Sequence, residues 1–191
     1  MKHPSCRGLH AYWTERRGER PVPERGEIEP AAIRHLLGDS FVLSGWPDGC
    51  RFRVAGTRIC ALLGRELRGE PFASIWHADG AMLTGQALAA VSEEGIGFVA
   101  GVEASSRGDA ATYELLVLPL SHRGVLGARL IGVLAAFERP AWLGTWPAEP
   151  LHLGALRYLS GAAPLHSGDI ATPDPLLLRR NFTIINGGLV S

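Results

Sequence analysis

The sequence predicts an α+β fold: a five-stranded antiparallel sheet with short helices and one longer helix on one face, plus an N-terminal helix. Residues 50–54 alternate apolar and polar side chains, which is typical of an antiparallel strand with one solvated face. Three long β-rich stretches follow a helical pattern that ends at a glycine. The 191 residues are 46% hydrophobic and 20% charged, so the chain can build one domain with its own core.

The first element is a helix with one apolar face. Leu9, Tyr12 and Trp13 recur at i, i+3 and i+4, and Gly18 is a suitable residue to end the helix. Aromatic side chains carry a large apolar area that must be buried. We therefore treat residues 1–38 as a helical extension and these three side chains as interface candidates, packing on the sheet's outer face or forming a dimer.

Two strands and three helices come next. Residues 41–43 and 50–54 predict a pair of strands joined by a glycine-rich turn. Thr57 suits the N-cap of a short helix, because its hydroxyl can accept a free backbone N–H. Phe72, Ile75 and Trp76 form a single helical turn, and the longer helix runs from an N-cap at Asp79 to about Glu94.

Three strands complete the central domain, at about residues 97–104, 111–120 and 125–137. The last is apolar on both faces from residue 130 onward, which is not expected where one face is solvated. We therefore expect the N-terminal helix or a partner subunit to cover its outer face. Residues 39–138 form the predicted core domain.

The C-terminal part, residues 139–191, has a weaker pattern and is predicted to be an extension that packs on the core. Pro150 can begin a helix over residues 151–159. Residues 161–175 have the composition of a loop, and residues 182–185 form a short β-rich segment before an Asn-Gly turn signal.

Charge and cysteine content exclude several classes of protein. The chain has 19 basic and 19 acidic residues, and this balance argues against a general nucleic-acid binder. Cys6, Cys50 and Cys60 are odd in number and widely spaced, which disfavours a disulfide framework or a zinc site. The N-terminus has no secretion signal, and no apolar stretch reaches the roughly 20 residues that span a bilayer. We therefore expect a cytoplasmic protein without a membrane span.

The order of elements over residues 39–138 is that of a PAS domain. The chain also resembles a family of small bacterial PAS proteins, many of them alphaproteobacterial, called PAS_5 and formerly DUF1388. The residues that carry the resemblance are Trp13, Pro23 to Arg25, Glu29, Pro30, Arg51 to Arg58, Leu63 to Gly69, Trp76 and Arg179 to Gly188.

The resemblance implies a regulatory or sensory role, with no established ligand or reaction. We expect a non-catalytic, stand-alone regulator that binds other signalling proteins. A homodimer of the chain also fits this interpretation. The alternative is a small-molecule sensor with a cavity between the sheet and the longer helix. Its expected lining residues are Trp76, Leu83, Ala87 and Tyr113. A remote alternative is a ketosteroid-isomerase-like enzyme, for which Asp39 and His77 are the only candidates.

No cofactor, metal or catalytic residue is expected. A haem-binding PAS domain usually places its histidine on or near the longer helix, and His77 lies just before it, where a capping role is commoner. Cys60 departs from the motif of flavin photosensors and fits a small core residue. No phosphate-binding loop and no GxSxG motif occur in the sequence.

Overall fold

The computed structural model of the chain describes residues 1–46 and 48–159. The predictions for residues 161–175 and 182–185 and for the Arg179 to Gly188 segment lie outside the described residues. The division of the chain at residues 38 and 138 stays a prediction. The elements, in chain order, are helix α1 (Pro4–Arg17), 3-10 turns at Arg25–Glu27 and Leu37–Asp39, strands β1 (Ser40–Ser44) and β2 (Phe52–Ala55), helix α2 (Thr57–Leu63), a 3-10 turn at Phe72–Ile75, helix α3 (Ala78–Glu94), and strands β3 (Phe98–Ser106), β4 (Asp109–His122), β5 (Val125–Ala136) and β6 (His152–Tyr158).

All neighbouring strands pair antiparallel, in the order β2-β1-β5-β4-β3-β6. The prediction of an antiparallel α+β fold is confirmed. The turn between β3 and β4 shows how tightly the hairpins close: Ser106 pairs with Asp109, and Arg107 and Gly108 between them both have positive φ, 52° and 89°. Two such residues in a two-residue loop match the twist of the flanking strands.

The five predicted strands are all present, but the described residues contain a sixth, and the prediction of a helix over residues 151–159 is wrong. Residues 152–158 form β6, which pairs with β3 from Glu103↔His152 to Phe98↔Tyr158. The backbone N–H of His77 donates to the carbonyl of Leu151 at 3.0 Å. This hydrogen bond holds the start of β6 beside the N-terminal end of α3. The unpaired edge of β3 offers a full row of backbone partners, and this tertiary pairing overrides a weak local preference for helix.

The inner face of the sheet carries the larger core. The rings of Phe41, Phe52 and Phe72 lie 5.5–5.9 Å apart, and α3 adds Ala87 and Val91 to the same cluster. The predicted limits of α3 are nearly correct, although its N-cap is His77 rather than Asp79. Aromatic pairs at these separations stabilise a core beyond the area that they bury.

The outer face of the sheet is covered by α1. Cys6, Leu9 and Trp13 are buried in a second apolar cluster with side chains of β4 and β5 such as Leu116 and Val133. From Leu130 to Ala135, where β5 is apolar on both faces, the strand therefore lies buried between two layers. Of the two covers expected from the sequence, the N-terminal helix supplies one within the chain itself.

Candidate functional site

Three of the four predicted cavity residues lie together in the inner core. Trp76, Ala87 and Tyr113 are buried in one cluster, whereas Leu83 is half-buried and lies outside it. The buried stripe of α3 passes through Thr84 instead. The sequence pattern therefore located the inward face of α3 one residue away from its actual position at this turn.

Two buried polar groups of this core stand out. Within the described residues, the indole Nε1 of Trp76 and the hydroxyl of Tyr113 have no hydrogen-bond partner. Leaving a buried donor unsatisfied costs free energy, about 1–3 kcal/mol. Such groups are uncommon in native structures and point to a bound water or ligand, or to a reserve of strain.

Tyr113 lines a pocket of about 180 Å³ at the end of the sheet where β1 begins and β5 finishes. We call it the Tyr113 pocket. Its apolar walls come from α2, from β5 and from Leu143 in the connection to β6. Its charged lining residues are Asp39, Arg58 and Arg139.

An ion pair occupies one side of this pocket. The guanidinium of Arg58 donates to both carboxylate oxygens of Asp39, at 2.5 and 2.7 Å. The Asp39 side chain is only 15% exposed, and this contact raises the pKa of Arg58. A Cβ at Gly38 would lie 2.7 Å from the Arg58 guanidinium carbon, so Gly38 leaves room for this pair to form.

The protonation state of Tyr113 follows from its surroundings. Burial, together with the negative charge of Asp39, raises the pKa of Tyr113 to about 12. Both causes disfavour the phenolate, so the hydroxyl stays protonated near neutral pH. It can therefore act as a hydrogen-bond donor, although the oxygen has almost no accessible surface in the free protein.

A second concave surface lies on the outer face of the sheet. It has a volume of about 440 Å³ and is bordered by residues of β1, β2 and the chain between α1 and β1. We call it the outer groove. Val54 and Leu37 on its walls are 57% and 42% exposed. Arg25 is the single charged residue among those that line it in the described part of the chain.

The predicted interface residues make contacts within the chain. Leu9 and Trp13 are buried, and the indole N–H of Trp13 donates to the Pro119 carbonyl at 2.7 Å. Tyr12 is half-buried, and its hydroxyl accepts from the backbone N–H of Glu29 at 2.9 Å. A role for these residues between two chains stays a prediction.

The remaining candidates lie apart from one another. His77 is exposed and stacks on His152 with ring centroids 4.4 Å apart. Asp39 lines the Tyr113 pocket and His77 does not, so the two enzyme candidates do not share this pocket. Cys60 is half-buried on α2, and burial, with the nearby charge of Glu66, raises the pKa of its thiol.

Sequence reasoning missed Arg58 and Arg139. Arg58 and its partner Asp39 stand 19 positions apart, on different elements, and Arg139 follows the end of β5. No local spacing links such residues, because only the folded sheet brings them to one pocket. The one signal was Asp39 itself, an acidic residue directly before a strand.

The described residues contain neither a metal-binding cluster nor a membrane-spanning helix. In residues 1–46 and 48–159, no group of three or more His, Cys, Asp or Glu side chains is arranged to hold a metal ion. Within the same part of the chain, no helix combines the length and the apolar character needed to cross a membrane.

Residues 1–135 match the model of the PAS_5 family, described as a PAS domain. The chain belongs to this family. The resemblance drawn from the sequence is thereby confirmed over these residues, whereas the Arg179 to Gly188 segment lies beyond the match. Membership suggests a regulatory or sensory role in signalling. PAS domains are typically non-catalytic.

Two solved structures are similar to the PAS_5 chain. One is the PAS domain of a protein from Colwellia psychrerythraea, with 14% identity and a TM-score of 0.42 over 57% of this chain and 98% of that one. The other is the PAS domain of an HTR-like protein from Haloarcula marismortui, with 16% identity and a TM-score of 0.37 over 56% and 90%. No curated protein matches the chain.

Proposed function

We propose that this PAS_5 protein is a non-catalytic regulator that acts by binding another signalling protein at the outer groove. The observation that carries the proposal is an apolar surface that no described residue covers, on a sheet face that α1 covers elsewhere. Val54 and Leu37 remain exposed there. Contiguous exposed apolar surface commonly marks an interaction site.

The chemistry of the groove selects the partner. Apolar walls favour apolar side chains, and Arg25, which forms no ion pair with another described residue, favours a carboxylate beside them. We therefore expect a segment of the partner that carries apolar residues and an acidic residue.

The partner inserts side chains rather than adding a strand to β2. The backbone N–H of Phe52 already donates to the Glu70 carbonyl at 2.9 Å, and that of Gly69 donates to the Phe52 carbonyl at 2.8 Å. The edge of β2 is therefore occupied at this position, and strand addition, a common mode of peptide recognition, is blocked there.

The test is site-specific photo-crosslinking in cells of the source organism. A photoreactive amino acid at Val54 should give a discrete adduct with one other protein. The same residue at Met82, which is 61% exposed on α3, is the matched control and should not give this adduct. Arg25→Glu should reduce the Val54 adduct at least about tenfold, because it places like charges opposite one another.

Three results would contradict the proposal. They are the absence of an adduct at Val54, an adduct that Arg25→Glu leaves unchanged, and an adduct only with a second copy of the chain or with its own residues 160–191. An adduct between copies would support the homodimer instead. Cytoplasmic location is part of the proposal and is supported by Cys6 and Cys50, which are buried as free thiols.

A small-molecule sensor is the second candidate function. It is favoured by the two buried donors without partners in the described core, Trp76 Nε1 and the Tyr113 hydroxyl. A ligand between the sheet and α3 would accept hydrogen bonds from one or both. A thermal-shift screen against a metabolite library tests this candidate. A melting temperature that no compound raises would count against it.

A further inference from the structure

The geometry points to a binding site for a small monocarboxylate in the Tyr113 pocket. This inference rests on the sensor candidate, gives it a ligand class, and moves its site from between the sheet and α3 to a pocket beside α2, which shares no lining residue with the outer groove. Tyr113 is only 4% exposed and lines the pocket, and its hydroxyl has no partner among the described residues. Because this oxygen has almost no accessible surface in the free protein, the side chains around it must shift slightly before a ligand acceptor reaches it. Such an acceptor would then remove the cost of an unsatisfied buried donor.

The charges of the pocket select an anion. Asp39 and Arg58 neutralise each other through their two hydrogen bonds. Arg139, on the lining of the same pocket, forms no ion pair with any described residue and leaves one excess positive charge. One ligand carboxylate can accept from the Tyr113 hydroxyl and balance Arg139, and charge-assisted hydrogen bonds of this kind are among the stronger ones.

The walls and volume set the size of the ligand. The remaining lining side chains are apolar, with Ile59 and Leu62 from α2, Leu134 from β5 and Leu143 beyond it. The pocket of about 180 Å³ has the volume of roughly six water molecules in the liquid. An aromatic or branched short-chain acid of the size of benzoate or isovalerate fits these two conditions.

The pocket lies where a bound ligand would contact both the core and the connection to β6. Arg139 and Leu143 belong to that connection, which is also bonded to α2 by the Ala148 N–H and the Leu62 carbonyl at 2.7 Å. A carboxylate held between Tyr113 and Arg139 would tie the connection more firmly to the sheet. Binding would thereby be coupled to how firmly residues 139–151 are held against the sheet.

The test uses benzoate and isovalerate as probes, titrated into the full chain and followed by amide NMR shifts and calorimetry. Tyr113→Phe should weaken binding about tenfold or more, since it removes the buried hydroxyl donor. Benzamide should bind wild-type protein about tenfold more weakly than benzoate, and Arg139→Gln should abolish that preference. Arg157→Gln, on the opposite edge strand β6, is the matched control and should change neither.

Tyr113→Phe has a second readout without ligand. If the hydroxyl is unpartnered in the free protein, the variant should keep or raise the melting temperature, because an unsatisfied group is removed. The inference is overturned if neither acid binds at about 10 mM, or if binding is insensitive to both variants. If Tyr113→Phe melts at a lower temperature and wild-type protein binds neither acid, the hydroxyl binds only a water molecule, and the inference is overturned. Neither result bears on the outer groove.

Discussion

The two faces of the sheet are closed in different ways. The inner face is covered by elements within the chain from α2 to α3 and contains the interlocked rings of Phe41, Phe52 and Phe72. The outer face depends on α1, which packs on β4 and β5 and leaves the outer groove beside β1 and β2. Among the described residues, the inner face is therefore covered along most of its length, whereas part of the outer face beside β1 and β2 stays exposed.

The largest expected effect tests the inner face. Phe72→Ala should lower the free energy of unfolding by about 3–5 kcal/mol, because it removes a fully buried ring from the centre of the aromatic cluster. Denaturant titration measures this difference. Met82→Ala, at an exposed position of α3, should change stability by no more than about 0.5 kcal/mol. Equal effects of the two substitutions would contradict the description of the core.

A smaller effect is expected on the outer face. Trp13→Phe keeps most of the buried ring but leaves the Pro119 carbonyl without the indole N–H, which should cost about 1–3 kcal/mol. Amide hydrogen exchange then distinguishes the effects of the two substitutions on the two faces of the sheet. Exchange should rise more in α1 than in β5 for Trp13→Phe, whereas Phe72→Ala should raise it throughout the sheet. A uniform rise in both variants would show that α1 and the core open as one unit.

The sequence predicted the parts of this comparison that depend on local pattern. The stripe of Leu9, Tyr12 and Trp13 located the apolar face of α1, and residues 130–137, apolar on both faces of their strand, required a cover for the outer face. Both predictions depend on the spacing at which side chains share one face of a helix or strand, and this spacing is visible in the sequence.

The remaining features depend on contacts between distant segments. Residues 152–158 became a strand because the edge of β3 was open, and nothing within the segment predicts that edge. The Tyr113 pocket unites Asp39, Arg58 and Tyr113 only after β1 and β4 have joined the same sheet on either side of β5. The outer groove lies where α1 no longer covers the sheet. No regular spacing of residues in the sequence indicates this position.

The smallest expected effect concerns the attachment of α1 to the outer face. The Glu114 carboxylate is buried and accepts from the backbone N–H groups of Lys2 and His3, both at 2.7 Å. Glu114→Gln replaces one acceptor oxygen by a donor, so one of these amides loses its partner. We expect a loss of about 1–2 kcal/mol in the free energy of unfolding at pH 7.

The pH dependence of this contact has a definite sign. Burial acts to raise the pKa of Glu114, but the amides of Lys2 and His3 act in the opposite direction and leave it below its ordinary value. The stabilisation is therefore complete above the unfolded pKa, about 4.3, and is lost as the pH falls through the lower folded value. The advantage of wild type over Glu114→Gln should shrink in that range. Glu103→Gln, at an exposed position of β3, is the control and should show no such trend. If the difference in unfolding free energy between wild type and Glu114→Gln stays constant from pH 7 to about 3, the carboxylate does not anchor α1.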